Sequence, residues 1–248
     1  MADIIKVDVI ILSFAQNSAL KALTDLAINS LLASEEPDQI KFNVIVIESE
    51  KSLMPYQYPQ TTTLYPEAEF GYNKYMNIGI TQCSAEYICL CNNDLMFYPY
   101  WATEILKSFA KDSELSSASP ACSFHHPKMG FDLYSGIHKG FRCRYEVAGW
   151  CLFLKKEVLG EMGSLDENYR LYCSDNDYAN MLLVLGRKHA LVTSAIVDHL
   201  DGATFNCLSI SEQMELTFGE FFYYEKKWKH RLVGSGWNEF ILMQDRFL

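Results

Sequence analysis

Acidic side chains and one histidine stand where hydrophobic runs stop, and that placement is the first chemical signal in the sequence. Glu48 closes the run Phe42–Glu48 (FNVIVIE), and Asn92-Asn93-Asp94 closes Tyr87–Cys91 (YICLC). A carboxylate beside amide side chains offers hard oxygen ligands, which Mg2+ or Mn2+ takes from one or two protein carboxylates together with substrate phosphates. The same tripeptide also suits a plain turn, since Asn and Asp tolerate left-handed backbone. A second group, Leu165-Asp166-Glu167 and then Tyr172-Cys173-Ser174-Asp175-Asn176-Asp177, precedes a helical stretch. Ser174 or Asp175 would cap that helix and Asp177 would complement its dipole. A carboxylate held rigid and ionised at a helix N-terminus is equally placed to act as a general base. His199, between Asp198 and Asp201, is either a structural histidine or a partner of Asp94 at a metal.

These residues need a scaffold whose strand ends meet. Val7–Phe14 (VDVIILSF) has the β-branched, unbroken apolar character of a strand buried on both faces. Ala19–Ala33 repeats Leu20, Leu23, Ala27 and Leu31 at helical spacing, and Phe42–Glu48 follows as a second strand. Strand, helix, strand predicts a right-handed crossover in a parallel sheet. The Pro-flanked stretch Tyr56–Glu67 reads as an irregular connection with a short strand near Thr62–Tyr65.

Further along, a helix from Gly71 leads into the strand Tyr87–Cys91, and a helix begins near Trp101 and runs to Lys111. Ser113–Val147 loses periodicity and reads as loops and short strands. Gly149–Leu154 is a strand, Lys155–Met162 a short helix and Asp175–Leu185 a longer helix stopped by Gly186. His189–Val197 is the last strand, and Ser211–Lys229 is helical before a Gly-Ser-Gly break. In an open α/β sheet, ligands collect outside the carboxyl ends of the strands, where Glu48 and Asp94 lie.

Composition bounds the reading. With 248 residues, 49% of them apolar, 13 Gly and 7 Pro, the chain is neither disordered nor collagen-like. A net charge of −10 argues against broad capture of nucleic acid through its phosphates. The eight cysteines, with no C-x-x-C pair, read as reduced thiols, and Cys89 and Cys91, sharing one face of a strand, read as core packing rather than zinc ligands. Without a leader-like start or an apolar run of membrane-spanning length, the expected location is the cytoplasm.

Taken in order, Val7–Phe14, Phe42–Glu48, Gly71-Tyr72-Asn73 with Asn77-Ile78-Gly79, Tyr87 to Asp94, Gly149–Leu154, Gly163 to Glu167 and Ser174-Asp175-Asn176-Asp177 resemble the family 2 glycosyltransferases of the GT-A fold. The resemblance runs from about residue 7 to 200. It implies an α/β fold: one Rossmann-like GT-A domain over 1–208, with a mostly parallel central sheet flanked by helices, and a helical C-terminal extension over 209–248 packed on it.

It also implies an inverting transfer of sugar from a nucleoside-diphosphate sugar, with a UDP-sugar the expected donor. By position in the family's motifs, Ser13 and Glu48 hold the nucleotide, and the helix carrying Asn73 and Asn77 covers the nucleoside. Asn92-Asn93-Asp94 stands for the D-x-D motif with only its last acid kept, so Asp94 and His199 are the implied ligands of Mn2+ or Mg2+. Asn92 and Asn93 then remain on the donor side. Asp166-Glu167 falls near the acceptor, and Asp175 matches the base of the E-D-x-D segment, its usual preceding Glu replaced by Ser174. Tyr224-Glu225-Lys226-Lys227-Trp228 resembles an aromatic-Lys-Trp element that follows the catalytic domain in some members.

Trp150, beside Gly149, offers a platform for a sugar ring or packs in the core. The stretch Ser113–Tyr145 gathers His125, His126, Lys128, His138, Lys139, Arg142 and Arg144, and either frames the acceptor or is solvated surface. The acceptor stays open among a saccharide, a lipid-linked glycan, a protein and a hydroxymethylated DNA base, the last disfavoured by the acidic balance. A nucleotidyltransferase would be expected to carry a Gly- and Lys-rich phosphate loop after the first strand, where Ala15-Gln16-Asn17-Ser18 stands. An inert nucleotide-sugar-binding or scaffolding protein is the alternative from another class. The apolar tail with Trp237, Phe240 and Phe247 would pack on the domain or on a second copy of the chain.

Overall fold

The computed structural model describes residues 3–52, 57–200 and 210–229. Its strands are β1 (Ile5–Ser13), β2 (Ile40–Glu48), β3 (Thr62–Leu64), β4 (Tyr87–Asn92), β5 (Leu95–Phe97), β6 (Leu115–Ala121), β7 (Ile137–Lys139), β8 (Cys151–Lys155) and β9 (Lys188–His199). Its helices are α1 (Ser18–Leu32), α2 (Tyr72–Ile80), α3 (Trp101–Lys111), α4 (Lys156–Met162), α5 (Ser174–Val184) and α6 (Ile210–Trp228). The strands form one sheet in the order β3-β2-β1-β4-β8-β6-β9-β5, with β7 also paired to β9.

The pairings make β3, β2, β1, β4, β6 and β9 run in one direction and β8, β5 and β7 in the other. The expected α/β architecture with a mostly parallel sheet flanked by helices is what the chain adopts. Because β1, β2 and β4 are buried on both faces, they read as continuous runs such as Val7, Val9, Ile10 and Ile11, each with no exposed surface. One apolar layer packs α1 and α3 on the sheet, where Trp101 stacks with Phe42 and meets Phe153 edge-on. The other packs α2, α4 and α5 through Tyr75, Met76, Val158 and Tyr178. Gly79 lets α2 lie close on the sheet, since a Cβ there would stand 2.6 Å from Ile10 Cγ2.

Strand β6 falls in the stretch read as loops and short strands, and it carries no apolar periodicity: its sequence is LSSASPA, yet all seven residues are buried in the sheet. Serine and alanine have weak strand preference, so the strand forms because its hydroxyls find buried partners. Ser117 Oγ bonds Tyr178 Oη at 2.7 Å and His189 Nδ1 at 2.8 Å, and Ser119 Oγ accepts from Ala148 N at 2.9 Å. Burial draws the His189 imidazole down to about 4, so it is neutral in this network. Strand β5 also lies beyond the point where the apolar run stops, and it pairs antiparallel with β9.

Helix α6 packs on the sheet domain. Glu220 accepts from the amides of Arg170, Leu171 and Tyr172, and Trp228, with no exposed surface, sits against Tyr169 and Tyr224. Asp201 and the tail carrying Trp237, Phe240 and Phe247 lie outside the described residues. No helix among the described residues is long and apolar enough to cross a membrane.

Candidate active site

The carboxyl ends of β1, β2, β4 and β9 and the beginning of the antiparallel β8 meet along one edge of the sheet, as the shared directions require. A chain of buried hydrogen bonds runs along part of that edge. Asn93 Nδ2 donates to Thr24 Oγ1 at 3.0 Å, Thr24 Oγ1 and Ser13 Oγ are 2.8 Å apart, and Ser13 Oγ lies 3.1 Å from Tyr58 Oη. Tyr58 Oη donates to Glu48 Oε2 at 2.9 Å.

With both ends fixed, each hydroxyl has one consistent direction: Ser13 donates to Tyr58, and Thr24 donates to Ser13. Every bond in the chain therefore points toward the Glu48 carboxylate, an arrangement in which successive bonds polarise one another. Glu48 Oε1 also accepts from Ala15 N at 3.0 Å and Glu50 N at 2.9 Å, which ties the turn after β1 to the end of β2. Thr24 and Tyr58 were not singled out from the sequence. Thr24 had a readable signal, a polar residue on the stripe Leu20, Ala27, Ile28 and Leu31, whereas Tyr58 sits in an irregular stretch with none.

Asn73 and Asn77, four apart on α2, bond the segment after α4. Asn73 Nδ2 donates to Asp166 O at 2.9 Å. Asn77 Nδ2 donates to Leu165 O at 2.9 Å and to Glu167 Oε1 at 3.0 Å, and its Oδ1 accepts from Leu165 N at 3.0 Å. Both amides thus clamp the 165–167 backbone against α2. Asp166 in turn receives Lys227 Nζ at 2.7 Å and Tyr223 Oη at 2.9 Å. Burial would raise its carboxyl, but the bonds from Lys227, Asn168 and Tyr223 prevail and hold it at about 2.

Asp94 and His199 come together because β5 folds back along β9: Leu95 pairs with His199, and Leu200 N donates to Asp94 O at 2.8 Å. Asp94 Oδ1 lies 3.2 Å from His199 Nε2, yet this buried oxygen has no hydrogen-bond partner among the described residues. A buried carboxylate oxygen without a partner is costly, which makes the pair a candidate for holding something else. Two ligand atoms at right angles, each about 2.1 Å from an octahedral ion, are about 3.0 Å apart, close to the separation here. An oxygen and an imidazole nitrogen suit Mn2+ or Mg2+, so the residues present fit such an ion.

His199 is held flat on Trp150, the ring centroids 5.1 Å apart and the planes 4° from parallel. His125 and His126 pack against the same indole, at 5.3 and 5.8 Å. His126 Nδ1 accepts from Cys122 N at 2.7 Å while its Nε2 donates to Tyr145 O at 3.1 Å, so the ring is a neutral tautomer. Burial, with the His125 charge adding, draws its pKa down to about 4. His125 Nε2 donates to Arg144 O at 2.8 Å. These two histidines stitch the end of β6 to the loop carrying Arg144, whose backbone is left-handed at φ 66°.

Asp175 reaches the same place from α5. Its Oδ1 accepts from Asn176 N at 2.9 Å, at the N-terminus of the helix. Its carboxylate lies against Gly149, where an added Cβ would be 2.9 Å from Oδ2. Burial raises the Asp175 carboxyl above its ordinary value, opposed by the amides of the helix start and by the Arg144 charge. Tyr72 Oη stands 3.4 Å from Asn92 Oδ1, and its phenol is raised by burial, with Cys91 and Asp175 adding to it. Cys173, not Ser174 or Asp175, occupies the N-cap position of α5, and Ser174 Oγ is buried without a partner among the described residues. Asp177 turns from the helix start to Lys227 Nζ and Trp228 Nε1, both at 2.7 Å.

The expected residues therefore fall into two groups. Ser13, Glu48, Asn92, Asn93, Asp94, Trp150, Asp175 and His199 line one edge of the sheet, whereas Asn73, Asn77, Asp166 and Glu167 bind one another and brace α2, the 165–167 segment and α6. No protein-family model matches the sequence, and a search of curated proteins finds no match. Among solved structures, the chain is similar to the mannosyltransferase PcManGT from Pyrobaculum calidifontis, solved in complex with GDP-Man and Mn2+. The TM-score is 0.59 at 13% identity, over 80% of this chain and 57% of that protein. The fold is thus one used by a nucleotide-sugar glycosyltransferase.

Proposed function

We propose that the chain is an inverting glycosyltransferase of the family 2 kind, moving a sugar from a nucleoside-diphosphate sugar to an acceptor hydroxyl. The observation that carries this reading is the convergence of Asp94 and Asp175. Asp94 faces His199, His199 stacks on Trp150, and Trp150 adjoins the Gly149 against which Asp175 packs.

Asp175 is the base, and its carboxylate takes the proton of the acceptor hydroxyl as that oxygen attacks the anomeric carbon. A carboxyl raised by burial is a stronger proton acceptor than an ordinary one, and the Asn176 amide fixes its direction. Asp94 Oδ1 and His199 Nε2 would hold Mn2+ or Mg2+. When bound, such an ion supplies positive charge opposite the leaving diphosphate. Trp150 keeps the His199 ring oriented and walls the acceptor side. The relay from Asn93 to Glu48 holds the turn after β1 in the shape that receives the nucleotide. Asp166 and Glu167, clamped by Asn73 and Asn77, brace the wall that carries Asp175.

Two pointers set the donors to test: the resemblance of the motifs favours a UDP-sugar, and the structural neighbour was solved with GDP-Man. The test is release of nucleoside diphosphate from UDP- and GDP-sugars with Mn2+, in the presence of saccharide, lipid-linked and protein acceptors. Turnover that falls sharply in Asp175→Asn and Asp94→Ala supports the reading. Donor binding without turnover under every condition would instead identify an inert binding module.

A further inference from the structure

Three of the cysteines meet in one place. Cys89 and Cys91 are two apart on β4 and so share a face, and Cys151 is the direct antiparallel partner of Cys91 on β8. The Sγ atoms of Cys89 and Cys91 are 3.4 Å apart, those of Cys89 and Cys151 3.7 Å, and those of Cys91 and Cys151 3.9 Å. None of the three residues has exposed surface. Sulfurs about 2.3 Å from a tetrahedral zinc are about 3.8 Å from one another, so the triangle has the dimensions of one face of such a site.

We infer that Cys89, Cys91 and Cys151 form a binding site for one thiophilic ion, of which Zn2+ is the probe, set between β4 and β8 behind the donor edge. Soft thiolates select this class of ion, and the three sulfurs present no hard oxygen to compete. A divalent ion leaves three thiolates with one net negative charge, and retention of one proton leaves none, the form that apolar surroundings favour. The thiolate rather than the thiol is the ligand, so loading releases protons and weakens as the pH falls. Since the sulfurs are enclosed, the ion enters as the chain folds.

A bound ion would cross-link β4 and β8 beside their last pairing, where Asn92 N donates to Trp150 O at 2.9 Å. It would thereby stiffen the backbone of two residues on the candidate active-site edge. The inference does not rest on the glycosyltransferase reading, and the site is separate from the one proposed at Asp94 and His199.

The test is metal content by mass spectrometry of the full chain expressed with Zn2+ and dialysed against EDTA, together with absorbance after refolding in Co2+. The expected result is one zinc per chain in the wild type and in Asp94→Ala, with an intense sulfur-to-cobalt charge-transfer band, and loss of both in Cys89→Val and Cys151→Val. Wild-type protein that emerges without zinc and refolds in Co2+ without that band would overturn the inference. So would zinc that disappears in Asp94→Ala, or zinc retained in the cysteine variants. Should those variants fail to fold, the wild type and Asp94→Ala still decide the matter.

Discussion

The carboxylate of Asp175 rests against the Cα of Gly149, in space that any larger residue at position 149 would fill. A Cβ there would be 2.8 Å from Asp175 Cβ and 2.9 Å from Oδ2. Gly149→Ala is therefore expected to push the proposed base aside and lower turnover on the order of 10²-fold, because small misplacements of a reacting group are that costly. Circular dichroism should remain native-like, and unchanged turnover would show that the contact does not position Asp175.

Asp94 provides the buried oxygen at the proposed ion site. Asp94→Ala is expected to reduce turnover by roughly 10² or more and to abolish its dependence on added Mn2+. The wild type should lose activity in EDTA and regain it with Mn2+. Activity that ignores both treatments would remove the metal from the proposal.

Activity should fall on the acid side as Asp175 takes up a proton, and burial places that limb above the usual carboxylate value of about 3.9. Arg144 is one of the charges that holds it down, so Arg144→Gln is expected to move the limb to higher pH. A pH–rate profile measures both effects. A limb that stays in place or moves down would argue against Asp175 as the titrating group.

Lys227 sits between two carboxylates, 2.7 Å from Asp166 and 2.7 Å from Asp177. Lys227→Ala leaves both without their cation and is expected to cost about 3 kcal/mol in a denaturation curve. The Asp166 carboxyl is held at about 2 in the folded chain, below its unfolded value near 3.9. Its share of stability is therefore present above pH 3.9 and lost as the pH falls toward 2. Asp177 is shifted upward by burial, which opposes this trend, so the acid loss belongs to Asp166 only if Asp166→Asn removes it.

Thr24 is the middle of the relay that ends on Glu48. Thr24→Val keeps the shape but leaves Asn93 Nδ2 without its acceptor and Ser13 without its donor. A loss of about 1–3 kcal/mol is expected on thermal or denaturant unfolding. Tyr58→Phe, at the end of the same relay, should behave alike. A neutral outcome at both positions would mean that the relay adds nothing to stability.

Much of this molecule could be read from its chain. The apolar runs of β1, β2 and β4 announce themselves because a strand buried on both faces must be continuously hydrophobic, and acids placed just after such runs mark the sheet edge where ligands collect. The positions of Glu48 at the end of β2 and Asp94 just after β4 were legible in that way, and Asp175 was legible as an acid at the start of a helix.

What only the tertiary structure decided was partnership. Strand β6 carries no apolar pattern, since its serines are buried through hydroxyl partners supplied by Tyr178 and His189, far away in sequence. The pairing of Asp94 with His199 depends on the register of β5 along β9, and Asn73 and Asn77 proved to clamp the 165–167 backbone. Cys89 and Cys91 read as core residues on one strand face, but only the register of β4 against β8 brings the Cys151 sulfur into contact with theirs. Residue types and spacing follow from local periodicity. Which side chains meet follows from strand order and register, and these depend on hydrogen bonds between segments that no single stretch of sequence contains.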